Sequence, residues 1–97
     1  MLQFEEYKVK LNNLKPALEE LRGNLGLEQA AREVEELEMK SSQPGFWDNP
    51  ETSQKIVSRM GALKGKIESF SKMVSSHEDL LTLCELAIEA EDIANVG

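Results

Sequence analysis

The chain has 97 residues, of which 30% are charged and only 5% are aromatic, and its formal net charge at pH 7 is -7. A chain of this length forms one small domain, and so few aromatic residues favour helices and argue against a sheet fold. A surface this acidic on average repels phosphates, which argues against direct nucleic-acid binding.

A first helix is predicted over residues 2–23, where apolar side chains recur at alternating steps of three and four. Pro16 lies inside this helix and is expected to kink it, since proline removes one backbone hydrogen bond. We expect the helix to continue past the proline because the apolar stripe continues. Gly23 and Gly26 then predict a turn. The stripe consists of Phe4, Tyr7, Leu11, Leu14, Leu18, Leu21 and Leu25.

A second, shorter helix with an acidic outer face is predicted over residues 28–41. Beyond it, Pro44-Gly45 predicts a turn, and Asp48 stands three residues before Glu51, which is the spacing of a capping box. The apolar stripe of this second helix consists of Leu27, Ala30 or Ala31, Val34 and Leu37.

A long third helix is predicted over residues 50–92, because one apolar stripe keeps its spacing from Ile56 to Ile88. Its basic half lies towards the start and its acidic half towards the end. The stripe consists of Ile56, Met60, Leu63, Ile67, Phe70, Val74, His77, Leu81, Cys84 and Ile88.

These helices predict an all-α fold with coiled-coil-like packing, for which two architectures remain open. In a three-helix bundle, the second helix covers the long helix only to about Lys64, and the stripe beyond it needs a second copy of the chain. In a kinked helical hairpin, the first two helices form one arm of about 40 residues and cover that stripe themselves. The residues left exposed in the first architecture are Ile67, Phe70, Val74, Leu81 and Ile88.

No sequence pattern predicts an enzyme, a metal site or a cofactor. His77 and Cys84 are seven residues apart on a helix, and a separation of about 10 Å is too long for both to bind one zinc ion. Both lie in the apolar stripe, where a core histidine and a buried thiol are expected. A single cysteine suits the reducing cytoplasm, and no apolar run reaches the ~18 residues of a membrane span. We therefore expect a cytoplasmic protein without membrane contact.

Two large aromatic residues, Phe46 and Trp47, lie between the Pro-Gly turn and the start of the long helix. They predict either an apolar plug that fixes this loop against the helices or a contact with a protein partner. The plug is favoured, because no other aromatic cluster completes the core of so small a domain. The candidate residues for a structural loop or a partner contact are Pro44, Phe46, Trp47 and Asp48.

Three segments carry a resemblance to a known family: Leu21–Leu25, Gln43–Glu51 and Leu83–Asp92. They resemble the N-terminal domain of the bacterial class I peptide chain release factors, and the likeness covers nearly the whole chain. Within that family, the tryptophan loop distinguishes the factor that reads UAA and UGA from the sister factor that reads UAA and UAG.

The resemblance implies a fragment of a protein that enters the ribosome at UAA or UGA stop codons and triggers hydrolysis of peptidyl-tRNA. Residues 1–97 would be its N-terminal helical domain, because the family's Gly-Gly-Gln hydrolysis motif and Ser-Pro-Phe codon-reading motif belong to later domains and are absent here. In the family, this domain lies near the stalk base of the large ribosomal subunit and is implicated in contact with the class II release factor.

A protein-binding module in translation termination is thus the function that the resemblance implies. The alternative, from a different class, is a free-standing acidic helical adaptor or a coiled-coil dimerisation module. Helical periodicity is typical of both and does not separate them.

Overall fold

The structure is a computed structural model that describes residues 2–96. Along this range it contains four α-helices and one 3₁₀ turn but no β-strand, so the predicted all-α class is confirmed. The elements are α1 (Leu2–Asn13), α2 (Lys15–Asn24), α3 (Leu27–Ser41), the 3₁₀ turn (Phe46–Asp48) and α4 (Pro50–Val96). No helix in this range is both long and apolar enough to cross a membrane.

Contacts between the helices divide the chain into two compact units. The first unit comprises Met1–Leu21 and Lys72–Gly97, and the second unit comprises Arg22–Ser71. α4 therefore contributes its C-terminal half to the first unit and its N-terminal half to the second.

The first predicted helix is divided at Leu14, where we expected a kink within one helix. The Leu14 N–H donates to the Leu11 carbonyl at 3.2 Å, which closes a tight turn, and the Leu18 N–H donates to the Leu14 carbonyl at 3.0 Å. Pro16 has no N–H to donate to the Asn12 carbonyl, so the regular ladder of hydrogen bonds fails here. The apolar stripe nevertheless continues from α1 into α2.

In the first unit, α1 and α2 pack antiparallel to the C-terminal half of α4. Lys8 lies 3.8 Å from the Glu85 carboxylate, and further along α1 the Leu11 carbonyl contacts His77, which comes earlier in α4. The buried and half-buried side chains of this interface include Leu11, Leu18, Leu21, Val74, His77, Leu81, Cys84 and Ile88.

In the second unit, α3 packs antiparallel to the N-terminal half of α4. The Leu25 carbonyl, just before α3, accepts a hydrogen bond from Lys66 at 3.3 Å, whereas Glu33, further along α3, contacts Arg59, which comes earlier in α4. Two ion pairs span the helices: Arg59 with Glu33 at 2.7 Å, and Lys64 with Glu38 at 2.9 Å. Gly26, at φ 63°, turns the chain from α2 into α3, in the left-handed region that glycine adopts readily. The core consists of Ala30, Val34 and Leu63, with Leu37 and Ile67 packed against it.

The stripe that would have been exposed in a three-helix bundle is covered within the chain. Phe70 is buried, Ile67 packs on the core of the second unit, and Val74, Leu81 and Ile88 are half-buried. The expectation of an exposed stripe is therefore wrong, because α1 and α2 cover the C-terminal half of α4 in the first unit and α3 covers the N-terminal half in the second. Each unit has two helical arms, as the hairpin predicted, and a second copy is no longer needed to cover α4.

Candidate functional site

The loop between α3 and α4 begins from a well-closed helix end. The hydroxyls of Ser41 and Ser42 donate to the carbonyls of Glu38 and Met39 at 2.8 and 2.9 Å, and the Gln43 side-chain amide donates to the Met39 carbonyl at 3.3 Å. These bonds satisfy carbonyls that otherwise lack partners at a helix end. The loop therefore starts from a fixed position.

Gly45 sets the direction of the loop after Pro44. Its φ of 81° lies in the left-handed region, and a Cβ at this position would lie 3.1 Å from the Asp48 Oδ2 atom. The Phe46 N–H donates to the Gln43 carbonyl at 3.3 Å, and the Asp48 N–H donates to the Gly45 carbonyl at 3.0 Å. The 3₁₀ turn is thus held by backbone hydrogen bonds at both ends.

Asn49 caps α4, which corrects the capping box predicted at Asp48. The Asn49 Oδ1 atom accepts a hydrogen bond from the Thr52 N–H at 3.3 Å, and the Asn49 carbonyl accepts one from the Ser53 N–H at 3.0 Å. Pro50 then occupies the first helical position, where its missing N–H removes no helical bond. An asparagine directly before a proline is a sequence signal for such a cap, and it indicates the helix start more accurately than the capping-box spacing does.

The two aromatic residues have different environments. Phe46 is half-buried, whereas the Trp47 side chain is 68% exposed. The rings meet edge to face, with centroids 4.8 Å apart and planes at 82°. The plug interpretation is therefore wrong for Trp47, which rests against Phe46 and faces solvent. Successive residues of a 3₁₀ turn point about 120° apart, so only one of two neighbours can point inward.

A shallow groove follows the exposed tryptophan onto the first turns of α4. Val57 is exposed there and extends the apolar surface, while Ser53 is buried and donates to the Pro50 carbonyl at 3.1 Å. The groove is lined by Trp47, Pro50, Ser53, Gln54, Val57 and Ser58. Pro44 and Asp48, the other two candidate residues, are exposed on the same loop. Together these residues, the tryptophan loop (43–49) and its groove, form the candidate site.

The pair between Glu33 and Arg59 helps to hold the helices from which this loop extends. The Arg59 Nε and Nη2 atoms donate to the two Glu33 carboxylate oxygens at 2.7 and 3.1 Å. This hydrogen bonding, aided by the positive charges of Arg59 and Lys66, lowers the pKa of Glu33 below its ordinary value of 4.5. The same hydrogen bond raises the pKa of Arg59.

His77 and Cys84 lie in the interior of the first unit, as their stripe positions predicted. The His77 Nε2 atom donates to the Leu11 carbonyl at the break between α1 and α2, and Cys84 is a buried free thiol. Along residues 2–96, no three His, Cys, Asp or Glu side chains come close enough together to bind one metal ion. The tryptophan loop remains the candidate site.

Comparison with known proteins gives the family resemblance its support. No protein-family model and no solved structure matches the chain. It is 31% identical over 91 residues to peptide chain release factor 2 of Lactiplantibacillus plantarum, which covers 94% of this chain and 24% of that protein. It is also 32% identical to the proteins of that name from Staphylococcus saprophyticus and Pasteurella multocida, with 94% and 97% of this chain covered. The chain thus spans about a quarter of the length of these relatives and matches one region of release factor 2.

Proposed function

We propose that this chain is the N-terminal helical domain of a bacterial class I release factor and serves translation termination as a protein-binding module. The observation that carries the proposal is the match to one region of release factor 2 along 94% of the chain. Stop-codon reading at UAA and UGA and peptidyl-tRNA hydrolysis would belong to other domains. The domain by itself is then not an enzyme.

The proposed partners are the large ribosomal subunit near its stalk base and the class II release factor. A net charge of -7 favours protein partners over exposed ribosomal RNA, because RNA phosphates repel an acidic surface. Tryptophan is among the residues that contribute most binding energy at protein interfaces. We therefore propose that the tryptophan loop and its groove contact one of these protein partners.

A pelleting assay tests this proposal directly. Purified chain is centrifuged with bacterial ribosomes, with and without the class II release factor, and the bound fraction gives an apparent Kd. We expect Trp47→Ala to weaken binding about tenfold or more, as loss of an interface hot spot does. Ile93→Ala is the matched control, since Ile93 is also 68% exposed but lies outside the loop. Failure of the unaltered chain to bind either partner would overturn the proposed function, and equal binding of the two variants would remove the loop from the interface.

RNA provides a second check. We expect the chain to bind oligonucleotides that contain UAA, UGA or a sense codon equally weakly, because the domain is acidic and lacks the codon-reading motif. Codon-dependent binding would contradict the assignment of codon reading to another domain.

A further inference from the structure

An apolar groove runs between the two helical arms of the first unit. Its volume is about 390 Å³, and no Asp, Glu, Lys or Arg is among the described residues that line it. One wall consists of residues from α1 and α2 and the break between them, and the other consists of residues from α4. The lining residues are Leu11, Leu14, Ala17, Leu18, Leu21, Met73, Ser76, His77 and Leu80.

The rims of this groove are exposed although they are largely apolar. Leu14 is 50% exposed on one rim, and Met73 and Leu80 are 46% and 50% exposed on the other. Water thus covers large apolar side chains on both sides of one groove, and such paired exposure is typical of a surface that binds a partner.

Each rim repeats the spacing of a helix-packing seam. On one side the residues are Leu14, Ala17 and Leu21, and on the other they are Met73, Ser76 and Leu80, both at steps of three and four. Along α4, this second stripe lies one position before the buried and half-buried stripe at Val74, His77 and Leu81. Two seams of this kind side by side provide the surface on which a third helix packs in a bundle.

Charge indicates which kind of helix fits. The first unit carries ten acidic and four basic residues, a net charge of -6, whereas the second unit carries eight and seven, a net charge of -1. Six of the ten acids follow Lys72 in α4, where no basic residue occurs up to residue 96. Asp79 precedes Leu80 and Glu20 precedes Leu21, while Lys15 follows Leu14 and Lys72 precedes Met73. Both rims thus have acidic and basic neighbours, and the excess of acids belongs to the unit as a whole. The same unit of a second copy of the chain would carry the same net charge of -6, so the two copies would repel each other.

We propose that this groove is a docking site for a basic amphipathic helix of a protein partner. Apolar residues of that helix, spaced at three and four, enter between the Leu14 and Leu80 rims, and lysines or arginines on its flanks meet the acids of the unit. The inference rests on the groove and its charge, and it is independent of the role assigned to the tryptophan loop.

Isothermal titration calorimetry with designed peptides tests the proposal. The probe is a helical peptide of about 18 residues, with leucines at three-four spacing and lysines elsewhere, since shorter helices are marginal in water. One control peptide has the same composition in scrambled order, and another has glutamates in place of the lysines. We expect only the basic amphipathic peptide to bind, and we expect its Kd to rise with salt concentration.

Two variants of the chain locate the binding surface. Leu80→Ser is expected to weaken binding about tenfold or more, since it removes a large apolar contact from one rim of the groove. Leu86→Ser is the matched control, because Leu86 is 56% exposed on the same helix but lies outside the groove. Equal effects of the two variants, binding of the acidic or scrambled peptide, or no binding at all would each overturn the proposal. Circular dichroism verifies that both variants remain helical.

Discussion

Trp47 shows how little stability a large aromatic residue contributes when solvent covers most of it. Truncation of a fully buried aromatic side chain lowers the free energy of unfolding by about 3–5 kcal/mol, whereas substitutions at the surface usually change it by no more than about 0.5 kcal/mol. With 68% of its surface exposed, Trp47 is closer to a surface residue, although its truncation also removes the edge contact with Phe46. The residue is therefore more available for a partner than for the core.

We accordingly expect Trp47→Ala to lower the free energy of unfolding by less than about 1 kcal/mol. Denaturant unfolding followed by circular dichroism measures this change. Phe46→Ala is the companion variant, and we expect it to cost more because Phe46 is half-buried. A loss of about 3 kcal/mol or more in the Trp47 variant would restore the plug interpretation.

Replacement of a glycine by alanine is expected to raise or lower the stability of the chain, depending on the backbone conformation at that position. Gly61 and Gly65 lie within α4, and apart from the neighbouring residues and the backbone of the same helical turns, no described atom lies within 4 Å of a Cβ built at either position. Gly61→Ala and Gly65→Ala should each stabilise the chain by about 0.5–1 kcal/mol, since alanine restricts the unfolded chain and favours helix. Gly45→Ala should destabilise it by about 1–2 kcal/mol, because alanine is strained at φ 81°. Thermal melts of the three variants measure whether the melting temperature rises or falls. A Gly61→Ala variant with a lower melting temperature than the unaltered chain would contradict the expected stabilisation.

At the scale of the helices, the ion pair between α3 and α4 gives stability a dependence on pH. Hydrogen bonding to Arg59 lowers the pKa of Glu33 in the folded chain. The contribution of this pair is therefore present above the unfolded pKa of the carboxyl group and is lost as pH falls through the lowered folded pKa.

Glu33→Gln should thus be less stable than the unaltered chain at neutral pH, and the difference should vanish as pH falls below the ordinary value of 4.5. Urea unfolding across this range measures the difference. Glu36→Gln removes a carboxylate from the same helix and leaves the Arg59 pair intact, so it serves as the control. A difference that persists unchanged into acid would show that Glu33 stabilises the chain without its charge.

The long stripe of α4 was the most predictable part of the fold. All ten of its predicted residues, from Ile56 to Ile88, are buried or half-buried. The reason is that one continuous helix fixes the direction of every side chain, so that spacing alone determines which face packs. The packed face of α4 could therefore be predicted without knowing which helices pack against it.

The loop and the helix ends were less predictable, because their structure depends on single hydrogen bonds. Asp48 and Asn49 both have side chains suited to capping; the spacing to Glu51 favoured Asp48, whereas the proline that follows Asn49 indicates the cap that forms. Similarly, the presence of Phe46 beside Trp47 indicated an aromatic contact but did not indicate which ring would face inward. The break at Leu14 depends on how the chain accommodates the hydrogen bond that Pro16 cannot donate to the Asn12 carbonyl.

At the scale of the whole chain, the covered stripe removes the main reason for self-association. We expect a monomer of 10.9 kDa by static light scattering at both low and high salt concentrations. The acidic surface disfavours pairing at low salt, and the arms of each unit already bury the apolar face of α4. A dimer that strengthens with added salt would contradict this expectation and revive the dimerisation module.

Because Trp47 is the only tryptophan of the chain, its indole fluorescence reports on one position alone. A neutral quencher such as acrylamide should reach this exposed ring readily in the free chain. A partner that covers the tryptophan loop should shield the ring from the quencher, whereas a helix bound in the groove of the first unit should leave quenching unchanged. The native chain thus carries an optical label that distinguishes its two proposed binding surfaces without chemical modification.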